Sequence, residues 1–195
     1  MALKLITAPV ARPLTVQDVS DQTRADLTVE QVLIETYIAA VAAKAEVIIG
    51  RALITQTWEL STESFSCAHP HGIRLPFSPV QEIVSITYID TNGDSQIVNP
   101  ANYYLTGDDP EMVAPVYGTV WPVSRNHPGV VKIRYICGYG DTSDDIPEAI
   151  RVWMLMNVAA LYENRETVTV GKSGLIELST LADSLLDSYR LVTFS

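Results

Sequence analysis

The chain has 195 residues, enough to bury a sizeable core as one large domain or two small ones. Apolar residues make up 47% and charged residues 18%, a globular balance that excludes a disordered polymer. The net charge of −10 argues against gripping nucleic acid, because a duplex-binding surface needs clustered Lys and Arg to displace counterions. The acidity is uneven: residues 55–144 carry four basic and ten acidic groups, six of the ten net negative charges. Such an excess serves solubility, and it also suits a conduit to which DNA does not adhere.

Two cysteines, Cys67 and Cys137, are too few for a disulfide framework. The opening MALKLITAPVARP lacks an apolar signal core and a cleavage pattern. The longest apolar stretch, Val152 to Tyr162, is interrupted by Asn157 and falls short of the ~20 residues that span a bilayer. The expectation is a soluble protein made in a reducing cytoplasm, with no membrane partner.

In chain order, residues 3–14 contain Pro9 and Pro13 and read as an extended lead-in, since proline also biases its predecessor away from helix. Thr15 caps a short helix through about Arg24, with Asp18 near its positive end. Thr28 with Gln31 forms a capping-box pattern opening a longer helix. Ile34, Ile38, Val41, Ala45 and Ile48 give that helix one apolar stripe, widened by Leu33 and Tyr37. Its other face is smooth: Ala39, Ala40, Ala42 and Ala43 permit close approach of a second helix, from the same chain or from a neighbouring subunit. Gly50 ends the helix in a left-handed turn.

From there the pattern becomes β. Gln56, Trp58 and Leu60 alternate with polar residues. Trp58 is expected to pin the helical and β parts together at this junction. Val84, Ile86 and Tyr88 mark a second strand, and Thr91-Asn92-Gly93-Asp94 predicts a type I′ hairpin turn with Ser95 to Val98 returning. Short apolar pieces follow at Tyr103–Leu105 and Met112–Val116. The last strand, Val130 to Cys137, puts Val131, Ile133, Tyr135 and Cys137 on one face, with Lys132 and Arg134 on the other. Five or six short strands fit a small antiparallel sandwich or barrel.

Helical period resumes at Asp144-Asp145-Ile146-Pro147-Glu148, a helix start with acidic caps and a first-turn proline. Ile150, Trp153, Met154, Asn157, Val158, Leu161 and Tyr162 form its apolar face, and it is expected to run through Glu166. Thr167 to Gly174 reads as a flexible linker. A final amphipathic segment, Leu178 to Arg190, places Leu178, Leu181, Leu185 and Tyr189 on one stripe with Leu186 beside it; it is short and needs a partner surface. The fold class expected is α+β: a helical-bundle body, residues 1–54 and 145–195, with an antiparallel β-sandwich or barrel module, residues 55–144, inserted in it.

Sites of chemistry do not assemble. Cys67, His69 and His71 are metal-binding types close together, but a closed zinc site needs four ligands and His127 is the sole other histidine. Asp141, Asp144 and Asp145 lack the ordered ligand pattern of a calcium loop and read as helix caps. No serine sits in a nucleophile elbow, and Gly138-Tyr139-Gly140 fails the dinucleotide-binding spacing. No catalytic residue, metal or cofactor is expected.

Five stretches in order carry a family resemblance: GRALITQTWEL (50–60), IRLPFSPVQEIVSITYID (73–90), PVYGTVWP (115–122), VKIRYICGYGD (131–141) and IPEAIRVWMLMNVAALYENRE (146–166). Together they resemble the head–tail connector family, the adaptor or head-completion proteins of tailed bacteriophages, prophages and gene transfer agents. The resemblance implies a non-enzymatic virion protein of the neck, made in the host bacterial cytoplasm. It implies a closed homo-oligomeric ring of about twelve copies beneath the portal protein, through whose lumen DNA passes without sequence-specific binding. A stopper, further neck protein or tail terminator would attach below. The tail residues Leu181, Leu185, Leu186, Tyr189 and Arg190 are then candidates for portal docking, with packing on the chain's own helices as the alternative. Two rival functions are a tail- or neck-associated β-sandwich binding module and, more remotely, a hydrolase built on His69, His71 or His127.

Overall fold

The computed structural model describes residues 1–65, 72–107, 111–163 and 184–191. Among these the chain forms eight strands: β1 (Ala2–Thr7), β2 (Gln56–Thr62), β3 (Ile73–Arg74), β4 (Val80–Ile89), β5 (Ser95–Ile97), β6 (Tyr103–Leu105), β7 (Met112–Pro115) and β8 (Val131–Cys137). The α-helices α1 (Val16–Thr23), α2 (Leu27–Ile49) and α3 (Glu148–Glu163) accompany them, and residues 184–187 are helical as well. The class is α+β. The contacts divide the chain into two compact units, a β unit of Met1–Pro9 with Thr55–Gly138 and a helical unit of Val10–Ile54 with Tyr139–Ser195.

The β unit holds a five-stranded sheet in the order β1-β2-β8-β4-β5 and a three-stranded sheet in the order β3-β7-β6. All pairings are antiparallel. Strand β8 is central, paired with β2 on one edge and β4 on the other, and its alternation is strict: Val131, Ile133, Tyr135 and Cys137 are buried, while Lys132 is exposed. Arg134, on the other face, pairs with Glu59 of β2 at 2.7 Å. Leu60, Ile86 and Val113 add to the apolar interior of this unit, with Ile73 and Leu75 from β3 and its exit. The Tyr135 hydroxyl donates to the Pro76 carbonyl at 2.8 Å, so the largest aromatic of the strand is buried with its polar end satisfied.

Two features of this unit differ from the sequence expectation. Residues 2–7 are an edge strand, with Leu3 opposite Leu60 and Leu5 opposite Trp58, where the prolines suggested only a lead-in. Both prolines follow the strand and leave its backbone free to pair, so residues 1–9 group with the β unit and the expected boundary at 54 describes only part of the N-terminal stretch. The β4–β5 turn is not type I′. Gly93 takes φ 99°, but Asn92 stays at negative φ, because Asp90 organises the loop: its Oδ1 accepts from Asn92 N at 2.9 Å and Asp94 N at 3.0 Å.

In the helical unit, α1 begins with a reciprocal capping box. Thr15 Oγ1 accepts from Asp18 N at 3.1 Å and Thr15 N donates to Asp18 Oδ2 at 2.9 Å. Helix α2 starts two residues earlier than the Thr28 pattern indicates, because Asp26 is the cap: its Oδ1 accepts both Thr28 N and the Thr28 hydroxyl. Gly50 closes α2 at φ 71° with its N–H on Glu46 O. Ahead of α3, Thr142 donates to Asp145 Oδ2 through its backbone N–H and its hydroxyl, at 2.9 and 2.8 Å. One apolar cluster joins Ile34, Ile38, Val41, Ala45 and Ile49 of α2 to Ile150, Trp153, Met154 and Val158 of α3. Ile49 takes the buried place expected for Ile48, which is half-buried beside it.

Candidate interaction surfaces

No group of three or more His, Cys, Asp or Glu among the described residues is placed to hold a metal. Cys67, His69 and His71 lie outside the described residues, and His127 is exposed, its Nδ1 3.0 Å from the Pro128 carbonyl. The helical unit carries an open depression of about 450 Å³, lined by Arg12, Thr15, Glu35 and Ser143 among others. Its floor is the Leu14 and Ile38 edge of the core. Burial pushes the Tyr135 phenol far above its ordinary range, with nearby Cys137 adding to the rise, which keeps that hydroxyl a neutral donor. No described helix is long and apolar enough to cross a membrane.

The C-terminal segment is tied to the end of α2. Leu186 is fully buried in the helical core, and Leu185 and Tyr189 pack half-buried against it. The Arg51 guanidinium Nε donates to the Tyr189 carbonyl at 2.6 Å, and Leu191 N donates to Ile49 O at 3.0 Å. Arg190 is exposed and lies 3.5 Å from Asp187. Of the five candidate docking residues, Leu186 therefore serves the chain's own core, Arg190 faces solvent, and Leu181 lies outside the described residues. The linker Thr167 to Gly174 and Leu178 lie outside them as well.

Of the four alanines on α2, Ala40 and Ala43 are exposed, while Ala39 and Ala42 are half-buried and Ala42 packs on the unit's own core. The exposed side also carries Val29, Val32 and Val47 at 80%, 76% and 79% exposure. Sequence reading missed these valines because α2 is apolar on two opposite sides, which blurs the single-stripe periodicity. At the helix-to-β junction, Gly50 has the expected left-handed turn, and Trp58 stacks on Phe77 of the β unit with ring centroids 4.8 Å apart.

In the β unit, the stretch after β7 is pinned at several points. Val116 N donates to Asn102 O at 3.0 Å, Trp121 stacks on Phe65 at 4.8 Å, and Arg125 N donates to Ile89 O at 2.9 Å. Between these anchors Tyr117, Val120 and Val123 stand exposed. A fixed loop carrying exposed apolar side chains has the form of a contact surface.

No family model and no curated protein matches the chain. Solved structures do. The fold is similar to a chain in "Virion of native gene transfer agent (GTA) particle", at TM-score 0.81 and 21% identity, over 100% of this chain and 98% of that one. It is likewise similar to a chain in "Neck of empty GTA particle computed with C6 symmetry", at TM-score 0.79 and 22% identity. A third similarity is to a chain in "Neck of native GTA particle computed with C12 symmetry", at TM-score 0.77 and 22% identity, and both neck matches cover 100% of this chain and 98% of the other. At such identities the likeness establishes a shared fold across both units.

Proposed function

We propose that this chain is a structural neck protein of a phage-like particle, a head-to-tail connector rather than an enzyme. The observation that carries the reading is the whole-length fold likeness to chains of gene transfer agent neck structures. In this role the protein forms a ring beneath the portal, extends the DNA channel and offers a surface to the next neck or tail protein. The C12 symmetry used for one of the similar necks supports a ring of twelve copies. The acidic balance keeps a DNA conduit from adhering to its cargo. Portal docking falls to the exposed part of the C-terminal segment, Arg190 with the rims of Leu185 and Tyr189, together with the tail region around Leu181.

The test is negative-stain imaging of the purified protein, alone and mixed with its cognate portal. Rings, or extensions of portal rings, are expected. A protein that stays monomeric and ignores portal overturns the reading. Arg190→Glu should weaken co-purification with portal without unfolding the helical unit, whereas Leu186→Ala would report core damage and not docking.

A further inference from the structure

The outward side of α2 is a continuous uncharged stripe. Val29, Val32, Thr36, Ala40, Ala43 and Val47 recur at spacings of three and four, all exposed, over about 27 Å of helix. Three valines left this open to water on one helix are not explained by the fold, since the opposite side of α2 supplies the core. Helix α3, in the same unit, also has an apolar outward side. Val152 and Ala160 are exposed there, with Met156 and Ala159 half-buried between them.

We propose that the outward stripe of α2 seats against the outward side of α3 on a second copy of this chain. The inference rests on the ring reading above and names the surfaces that make the ring. A head-to-tail ring needs two different, complementary patches on one subunit, and the helical unit carries such a pair. Charge favours the same pairing. Lys44 is the exposed charged group along α2, at the edge of the stripe, while the exposed charges of α3 are Glu148 and Glu163, at its two ends. Two chains of net charge −10 repel elsewhere, so their contact is best made where each is uncharged or oppositely charged. Alanines at positions 40 and 43 let the facing helix approach closely, and the valines at either end supply apolar grip. One helix side on another lies below the ~800 Å² per partner of a standard interface, so the seam is weak pairwise and depends on ring closure.

The test begins by measuring wild-type assembly by light scattering and negative-stain imaging, alone and on the cognate portal. In a Cys67→Ser background, Ala43→Cys and Val152→Cys are then oxidised separately, mixed, and combined in one chain. The expected result is heterodimers from the mixture, a ladder of multimers from the double variant, and no homodimer from either single variant. Homodimers of Ala43→Cys alone would mean a two-fold α2–α2 contact and overturn the proposal. A second variant guards against unlucky cysteine placement: Val32→Asp with Val47→Asp should lower the assembled fraction at least tenfold while circular dichroism stays unchanged. Rings that persist in that variant sink the seam but leave the ring reading standing. If wild type forms no assembly alone or on portal, the ring reading itself fails and the seam with it.

Discussion

The two units are held together by different kinds of interaction. In the β unit, order comes from partners far apart in sequence that must meet in register: Glu59 with Arg134, Tyr135 with Pro76, Gln81 with the Gly138 carbonyl. Glu111 accepts from the Ser78 hydroxyl and from Val80 N, tying β7's approach to the start of β4. In the helical unit, many polar devices are local caps and turns, and the long-range cohesion is chiefly one apolar cluster around Trp153, supplemented by the hydrogen bonds of Arg51 to the Tyr189 carbonyl and of the Tyr162 hydroxyl to Glu30. Apolar side chains stay exposed in the β unit too, Val84, Ile97 and Tyr104 on its strands among them. A helix layer glued by side-chain packing can carry apolar residues on both sides, and α2 does.

The contrast is broken first by removing core volume. Trp153→Ala should cost about 3–5 kcal/mol, read as a fall in the helical far-ultraviolet signal at lower denaturant. Ile133→Ala, in β8, should cost about 2–5 kcal/mol through the same cavity mechanism. If the units unfold separately, each variant shifts only its own transition; a single shared shift would make the division purely geometric. Tyr135→Phe should cost about 1–3 kcal/mol, since the Pro76 carbonyl loses its buried donor, and denaturant titration checks it.

Smaller effects sharpen the helical side. Gly50→Ala places a Cβ in the left-handed region, 3.4 Å from Leu191 Cδ1, and should cost about 1–2 kcal/mol in thermal unfolding. At Gly140 a Cβ would collide with the Asp145 side chain, so Gly140→Ala should disturb the cap before α3 and speed amide exchange at Thr142. The Asp145 carboxyl is held below its ordinary value by hydrogen bonds from the Thr142 backbone and hydroxyl. Its contribution is therefore present above the unfolded value near ~4 and is lost as pH falls through the lower folded value. Asp145→Asn should flatten that acid limb of the stability profile; an unchanged limb would mean that other carboxylates govern it.

The parts legible in the sequence were those fixed by near neighbours. Thr15 with Asp18, Gly50 and the Val131–Cys137 alternation follow from spacing alone and stand in the structure; of the apolar face expected on α3, Ile150, Trp153, Met154 and Val158 are buried, while Leu161 is exposed. What escaped depended on competition or distance. Asp26 and Thr28 compete to cap α2, and the hydroxyl that looked like an acceptor is a donor to Asp26. Strand β1 is defined by Leu60 and Trp58, about fifty residues away, and has no alternation of its own to announce it. Among interaction residues, the alanines of α2 were visible as a smooth face, but the exposed valines were indistinguishable from core before α3 was in place. Leu186, expected either to dock on the portal or to pack on the chain's own helices, lies in the helical core, and nothing local reveals that Arg51 and Ile49 hold its segment down.

The strand order has a consequence for how the polypeptide comes off the ribosome. Strand β1 is made early, yet its neighbour β2 follows only after the whole of α1 and α2. The central strand β8, which bridges β2 and β4, is made last of the eight. At ~5–20 residues per second, the early strand waits seconds for its first partner, and longer for the sheet to close. Meanwhile α2 exists without α3, with both of its apolar sides wet. The nascent chain is therefore most exposed to chaperones and to premature self-association before α3 is complete at residue 163, and slowing translation in the 55–163 region should lower the yield of assembled protein more than slowing it later.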